Sequence, residues 1–326
     1  MSSISSFTIK LLVNEPIVFQ SFSGFAACGI FYNLIKYVNE GLAEELHSSK
    51  KLAPWSATPF FIESPQFNRV IYRSLMGPSI INVGFSIMSE ELTNAFKEAI
   101  IKPDLCIEII NAKARILSVS FKMKRFSDIA HNSESLPEKF SIKFVTPTAF
   151  RRSIYDCCTT CPNYIEYLMN FKEGKKVNKP CKYAVKCRGL IIPLPIPSLM
   201  FRNMARIWST FSDVQLNVWE TAKWVENSMV IAGYPKPGIK TIKVYEHPTT
   251  NKWITGFTGT VRFAIKKDVY KEKYAKTAFA LLKMAELTNV GVRRTAGLGM
   301  IKLIHPNEEA KSIKINNQKG FEAYFS

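Results

Sequence analysis

Acidic side chains are scarce in this sequence: 26 Asp and Glu stand against 44 Lys and Arg, a formal charge of +18 over 326 residues. The surplus is spread along the chain and not packed in one tail, which favours a polyanionic partner. A lysine-rich proteome would produce the same balance. Long apolar runs are missing as well. The longest, "GLIIPLPIPSLMF" at 189–201, is short and broken by three prolines, so no membrane-spanning helix is expected. The opening "MSSISSFTIKLLVNEP" has neither a basic n-region nor a long apolar h-region, so no secretory leader is expected and the expected location is the cytoplasm. Neither the phosphate-loop pattern GxxxxGK[ST] nor the strand-to-helix dinucleotide fingerprint occurs. Histidine is rare, and His131, His247 and His305 form no metal-ligand pair at helical spacing.

What is present describes an ordinary globular protein, 47% hydrophobic and 12% aromatic, of a length that suits two domains. "FTIKLLV" (7–13) reads as a strand. In "GFAACGIFYNLIKYV" (24–38) the apolar residues Phe25, Cys28, Phe31, Ile35 and Val38 recur at helical spacing. Asn39 and Gly41 then mark a break before a second short helix, "LAEELH". "SIINVGFSIM" reads as a strand, "EELTNAFKEAII" as an amphipathic helix, and "CIEIINAKARILSVSFKMK" as a long strand or hairpin. This order predicts a ferredoxin-like βαββαβ domain over residues 1–125. The polar stretch 126–140 reads as a linker. A second such unit is predicted over 141–326, with strand "FSIKFVTPTAF", helix 198–211, strands "TIKVYEHP" and "GFTGTVRFAIKK", helix 270–288 and closing strand "GMIKLIHP". The fold class is therefore α+β, two tandem ferredoxin-like domains.

Two local patterns carry chemistry. The loop "NVGVRRTAGLG" (289–299) follows the last amphipathic helix. Its glycines would let backbone N–H groups approach a phosphate, with Arg293 and Arg294 adding charge-assisted contacts. Alone, it reads first as a tight helix-to-strand turn in which the glycines relieve crowding. Five of the seven cysteines lie between 157 and 187 in a basic insertion, 151–190. Cys158 and Cys161 form a C-x2-C pair, and Cys181 and Cys187 a wider one. Structural zinc or disulfides are the favoured readings over free thiols.

Three stretches in order resemble the CRISPR-associated endoribonucleases of the RAMP superfamily, which cut precursor repeat RNA. They are "FYNLIKYVNEGLAEELHSSKKLAPWSATPFF" (31–61), "FVTPTAF" (144–150) with "IPLPIPSLMFRNMARIW" (192–208), and "GFTGTVRFAI" (256–265) with "NVGVRRTAGLGMIKL" (289–303). In the last, Gly291 and the pair Gly297 and Gly299 fit the family's two glycine pairs, while Asn289 replaces the first glycine. The resemblance implies metal-independent cleavage by attack of the 2′-hydroxyl, leaving a 2′,3′-cyclic phosphate and a 5′-hydroxyl, with no catalytic cofactor. It implies Tyr32, His47 and Lys51 as the catalytic group, with Lys50 the rival lysine and a further RNA contact. The implied partner is CRISPR repeat RNA or precursor crRNA, for a monomer or homodimer, free or within a CRISPR effector complex. The alternative is a non-catalytic, repeat-RNA-binding RAMP subunit. A continuous helix would hold Tyr32 and His47 roughly 22 Å apart at ~1.5 Å per residue, so the site requires a chain reversal at 39–41.

Overall fold

A computed structural model of the chain describes residues 2–49, 51–62, 69–102, 106–152, 190–246 and 253–304. The N-terminal part contains β1 (Ser3–Val13), β2 (Ile17–Val18), α1 (Gly24–Val38), α2 (Glu40–Ser48), β3 (Trp55–Ala57) and β4 (Phe61–Ile62). These are followed by β5 (Arg69–Val70), β6 (Ser74–Leu75), β7 (Ser79–Ile87), α3 (Glu90–Ile101), β8 (Ile107–Ile109) and β9 (Ala112–Arg125). The remainder comprises α4 (Phe126–His131), β10 (Lys139–Thr148), β11 (Phe150–Arg151), β12 (Ile191–Ile192), α5 (Pro197–Phe211), α6 (Val218–Ser228), β13 (Met229–Gly233), β14 (Ile239–Glu246), β15 (Trp253–Ile265), α7 (Glu272–Thr288) and β16 (Ile301–Ile304).

The first sheet runs β5-β4-β7-β1-β9-β8, with β3 also on β7, and every pairing is antiparallel. Its central strands alternate as a half-covered sheet requires: Phe7, Ile9, Leu11 and Val13 are buried between the more exposed Ser6, Thr8, Lys10 and Leu12. The buried row meets α1 and α3, where Phe31, Trp55, Phe85 and Phe96 fill the core. The second sheet runs β13-β15-β10-β16, with β14 also on β15. It is covered by α5, α6 and α7, with Met204, Trp208, Phe263 and Leu281 in its core. Each half thus sets its first strand beside its third, with the fourth on the outer side, the ferredoxin-like order expected of the sequence.

The stretch 126–140 differs from the polar linker its composition suggests. Phe126 and Ile129 on α4 and Leu136 beyond it are buried in the second core, and the Tyr270 hydroxyl donates to the Leu136 carbonyl at 2.8 Å. Apolar residues at 126, 129 and 136 tie down a segment whose other side chains are polar. Ile4 from β1 and Met88, just past the end of β7, are buried in that same second core. No helix among the described residues is long and apolar enough to cross a membrane.

Candidate functional site

Asn39 makes the reversal that the site needs. Its backbone N–H closes α1 onto Ile35 O at 2.7 Å, while its side-chain oxygen accepts from Leu42 N at 2.9 Å and caps α2. One extended residue, φ −147° and ψ 97°, therefore ends one helix and starts the next. Ala43 is buried and Leu42 and Leu46 half-buried, so α2 lies back along α1 through this apolar stripe. The result places the Tyr32 and His47 rings edge to face, centroids 5.7 Å apart. His47 is exposed and Tyr32 half-buried.

Tyr32 is held from below. Trp55 is fully buried, stacks on Phe31 at 3.7 Å, and meets the Tyr32 ring edge-on at 5.6 Å. Burial pushes the phenol above its ordinary value, and the neighbouring Cys28 thiol adds to the rise. The phenol therefore keeps its proton through the neutral range. Lys51 is exposed just past the end of α2, with its N–H on Ser49 Oγ at 3.2 Å. Lys50 lies outside the described residues.

The glycine loop reaches the same flank by another route. Cys28, one helical turn before Tyr32, shares a hydrogen bond with the Thr295 side chain and feels the Arg293 charge. Burial nevertheless pushes its thiol up to about 11. Arg293 is exposed and held in the left-handed region, φ 59°. Arg294, its neighbour, corrects the expectation of two phosphate-binding arginines. It is 4% exposed, and its guanidinium donates to Thr288 O and Ala53 O, each at 2.9 Å. Burial, reinforced by Arg206, draws its pKa down to about 10.

The glycines also serve differently from expectation. The Gly291 N–H donates to Asn203 Oδ1 at 2.8 Å, that of Gly297 to Arg294 O at 3.1 Å, and that of Gly299 to Pro147 O at 3.1 Å. These N–H groups are committed within the fold and do not face a phosphate. What the loop needs is close approach: a Cβ on Gly297 would stand 2.6 Å from Pro59 N, and one on Gly299 would overlap the Val290 carbonyl oxygen. Asn289 takes φ 57° in place of the family's glycine, with its side chain donating to Ala57 O at 2.8 Å. Ala296 and Leu298 complete the seam against Phe22 from the first half and Val244 from the second. The loop is thus a clasp between the halves that leaves Arg293 outside. Asn203, Trp55 and Cys28 carry this arrangement and were not singled out as site residues in the sequence. Asn203 lies in a stretch that bears the family likeness, but no spacing rule marks it.

The paired cysteine sites, Cys158, Cys161, Cys181 and Cys187, lie outside the described residues, as do His247 and His305. Among the described residues no group of three or more His, Cys, Asp or Glu side chains could hold a metal. Cys28 is half-buried and Cys106 exposed, both as free thiols.

The architecture is thus two antiparallel ferredoxin-like units clasped by a glycine-rich loop. Residues 142–301 match the family model of the CRISPR-associated endoribonuclease Cas6. The match falls within the second unit and covers just under half of the chain. A Thermus thermophilus Cas6 superposes with a TM-score of 0.62 at 16% identity, over 93% of this chain and 99% of that one. Its product complex gives 0.65 at 18%, over 93% and 100%. A second Cas6 product complex gives 0.63 at 14%, again over 93% and 100%. At these identities the likeness is one of fold. No curated protein sequence matches the chain. The family match spans the clasp but stops short of Tyr32, His47 and Lys51.

Proposed function

We propose that this protein binds CRISPR repeat RNA and cleaves it as a metal-independent endoribonuclease. The observation that carries the reading is the Tyr32–His47 pair, brought to 5.7 Å by the break at Asn39 and set on an exposed flank of a chain of charge +18. In the proposed reaction the 2′-hydroxyl oxygen attacks the adjacent phosphorus. Its proton passes to a base, the bond to the 5′-oxygen breaks, and that oxygen takes up a proton. The products are a 2′,3′-cyclic phosphate and a 5′-hydroxyl. His47 is the proton-exchanging group, Tyr32 donates a hydrogen bond to the phosphate, and Lys51 offsets its developing charge. Arg293 holds an RNA phosphate on the other side, and the rival Lys50 adds charge nearby. The first 125 residues supply the chemistry on this reading, and residues 141–326 hold the RNA through Arg293 and the basic insertion. The fold likeness to a RAMP protein that binds different RNA substrates, and to two Cas6 product complexes, supports RNA as the partner. Action inside an effector complex and in the cytoplasm fits the same reading.

The test is incubation of labelled repeat RNA with the protein in EDTA, followed by end-group analysis. Cyclic-phosphate ends formed under chelation are the expected result. Tight binding without any such ends identifies a non-catalytic RAMP subunit instead. Equal affinity for random RNA of the same length points to a general nucleic-acid binder, with salt setting its strength.

The raised pKa of Tyr32 gives a second expectation. Its proton is held more tightly in the fold than the ordinary value of 10.0 implies, so its loss on the alkaline side comes late. Single-turnover cleavage should therefore hold through neutral pH, with any alkaline limb due to this group lying above 10.0. Tyr32→Phe should lower the rate and erase that limb. A limb unchanged in the variant assigns the titration elsewhere.

A further inference from the structure

The outer edge of β9 is unusual for a strand of its length. β1 covers one side of it from Ala114 to Arg125, while β8 covers the other only from Ala112 to Ala114. Beyond that point no strand among the described residues pairs with its outer edge, and every residue from Leu117 to Arg125 is exposed. The exposed side chains alternate. Val119, Phe121 and Met123 are 36%, 44% and 61% exposed on the face that carries Phe7, whose ring lies 4.9 Å from that of Phe121. Lys122 and Lys124, opposite Ser6 and Ile4 in register, fall on the other face. From Lys113 to Arg125 the strand carries five cations and no acid.

Proteins usually blunt such an edge with charge, and these lysines do so against one partner in particular. A second copy paired antiparallel would bring like charges across the ladder, which disfavours it. They leave the open backbone ladder and the apolar row available to a chain of opposite charge. A nucleic acid fits poorly. It has no peptide groups to complete the ladder, and Lys97 Nζ sits 4.6 Å from the Phe121 ring centroid, on the ring a base would need for stacking.

We propose that the outer edge of β9 is a docking site for an extended acidic segment of a partner protein, which adds a strand to the first sheet. The segment would alternate: apolar side chains over Val119, Phe121 and Met123, carboxylates beside Lys122 and Lys124. Main-chain hydrogen bonds supply affinity and the alternation supplies specificity.

The probe is a short synthetic peptide alternating valine and glutamate, with a valine–lysine peptide as control, added to the full chain. Slowed amide exchange across residues 115–125 with the acidic peptide alone is the expected result. The Lys122→Glu, Lys124→Glu double variant should weaken that peptide at least about tenfold while melting temperature and repeat-RNA affinity stay unchanged. Phe121→Glu, at an exposed position, should do the same from the apolar face. Absence of protection at millimolar acidic peptide overturns the proposal. So does protein that self-associates through this edge and is made monomeric by Phe121→Glu, which assigns the edge to a second copy. Loss of RNA affinity in the lysine variant without any peptide effect assigns it to RNA.

Discussion

Replacing His47 by alanine is expected to lower single-turnover cleavage of repeat RNA by about 10²–10⁴-fold. RNA affinity should remain within about twofold, because the phosphate contacts that set affinity are assigned to the Lys and Arg side chains. The argument rests on placement. His47 is exposed on α2, directly over the edge of Tyr32, and the apolar stripe that holds α2 in place runs through Ala43 and not through the histidine. The substitution therefore leaves the packing of α2 intact, and circular dichroism and melting should be unchanged. A variant that cleaves at the wild-type rate removes His47 from the chemistry. One that loses binding as sharply as cleavage makes it an RNA contact only.

The second large effect separates two adjacent arginines. Arg294→Ala strips the donors from the buried carbonyl of Thr288 and the half-buried carbonyl of Ala53, which join the end of α7 to the segment leading into β3. Unpaired buried acceptors cost about 1–3 kcal/mol each, so a loss of roughly 2–5 kcal/mol is expected. Part of this is recovered, because the charge itself is held against desolvation, as its lowered pKa shows. Arg293→Ala, one residue earlier and exposed, should leave stability within about 0.5 kcal/mol. It should instead weaken RNA binding and reduce the salt slope by about 0.7–0.9 for one lost phosphate contact. Chemical denaturation and salt-dependent binding of both variants decide this. If Arg293→Ala unfolds the protein while Arg294→Ala weakens only RNA binding, the two roles are reversed.

Much of the fold was legible because it follows local periodicity. α1 and α3 cover 24–38 and 90–101, the spans their apolar spacing predicts, and the break between α1 and α2 falls at the predicted Asn39. The second unit shows the predicted order of helix, strand pair, helix and closing strand, with α6 and β13 as unpredicted additions. The packing of the stretch 126–140 was not legible, because its three anchoring apolar residues are outnumbered by polar ones and burial of Phe126 is settled by a distant core. The same limit applies to the site. Tyr32 and His47 could be nominated, and their meeting could be tied to a turn at 39–41, because both lie on one contiguous segment.

Adjacent arginines with identical chemistry cannot be told apart by a sequence pattern. Arg293 faces outward and Arg294 inward because the 3-10 turn that begins at Arg294 follows a left-handed residue, and the carbonyls awaiting Arg294 come from α7 and from the approach to β3. The glycine motif had the same ambiguity. Its spacing announced a tight loop, but whether the Gly291 and Gly299 N–H groups were free for phosphate depended on Asn203 and Pro147, far away in sequence. The sequence alone determined the two ferredoxin-like units, the basic character and the helix break that folds His47 back onto Tyr32. These depend on local spacing, composition and capping. Only the tertiary structure decided that the glycine loop is a clasp with one arginine turned inward, and that β9 presents an edge no other described strand covers. Those features depend on contacts between segments with no local signature.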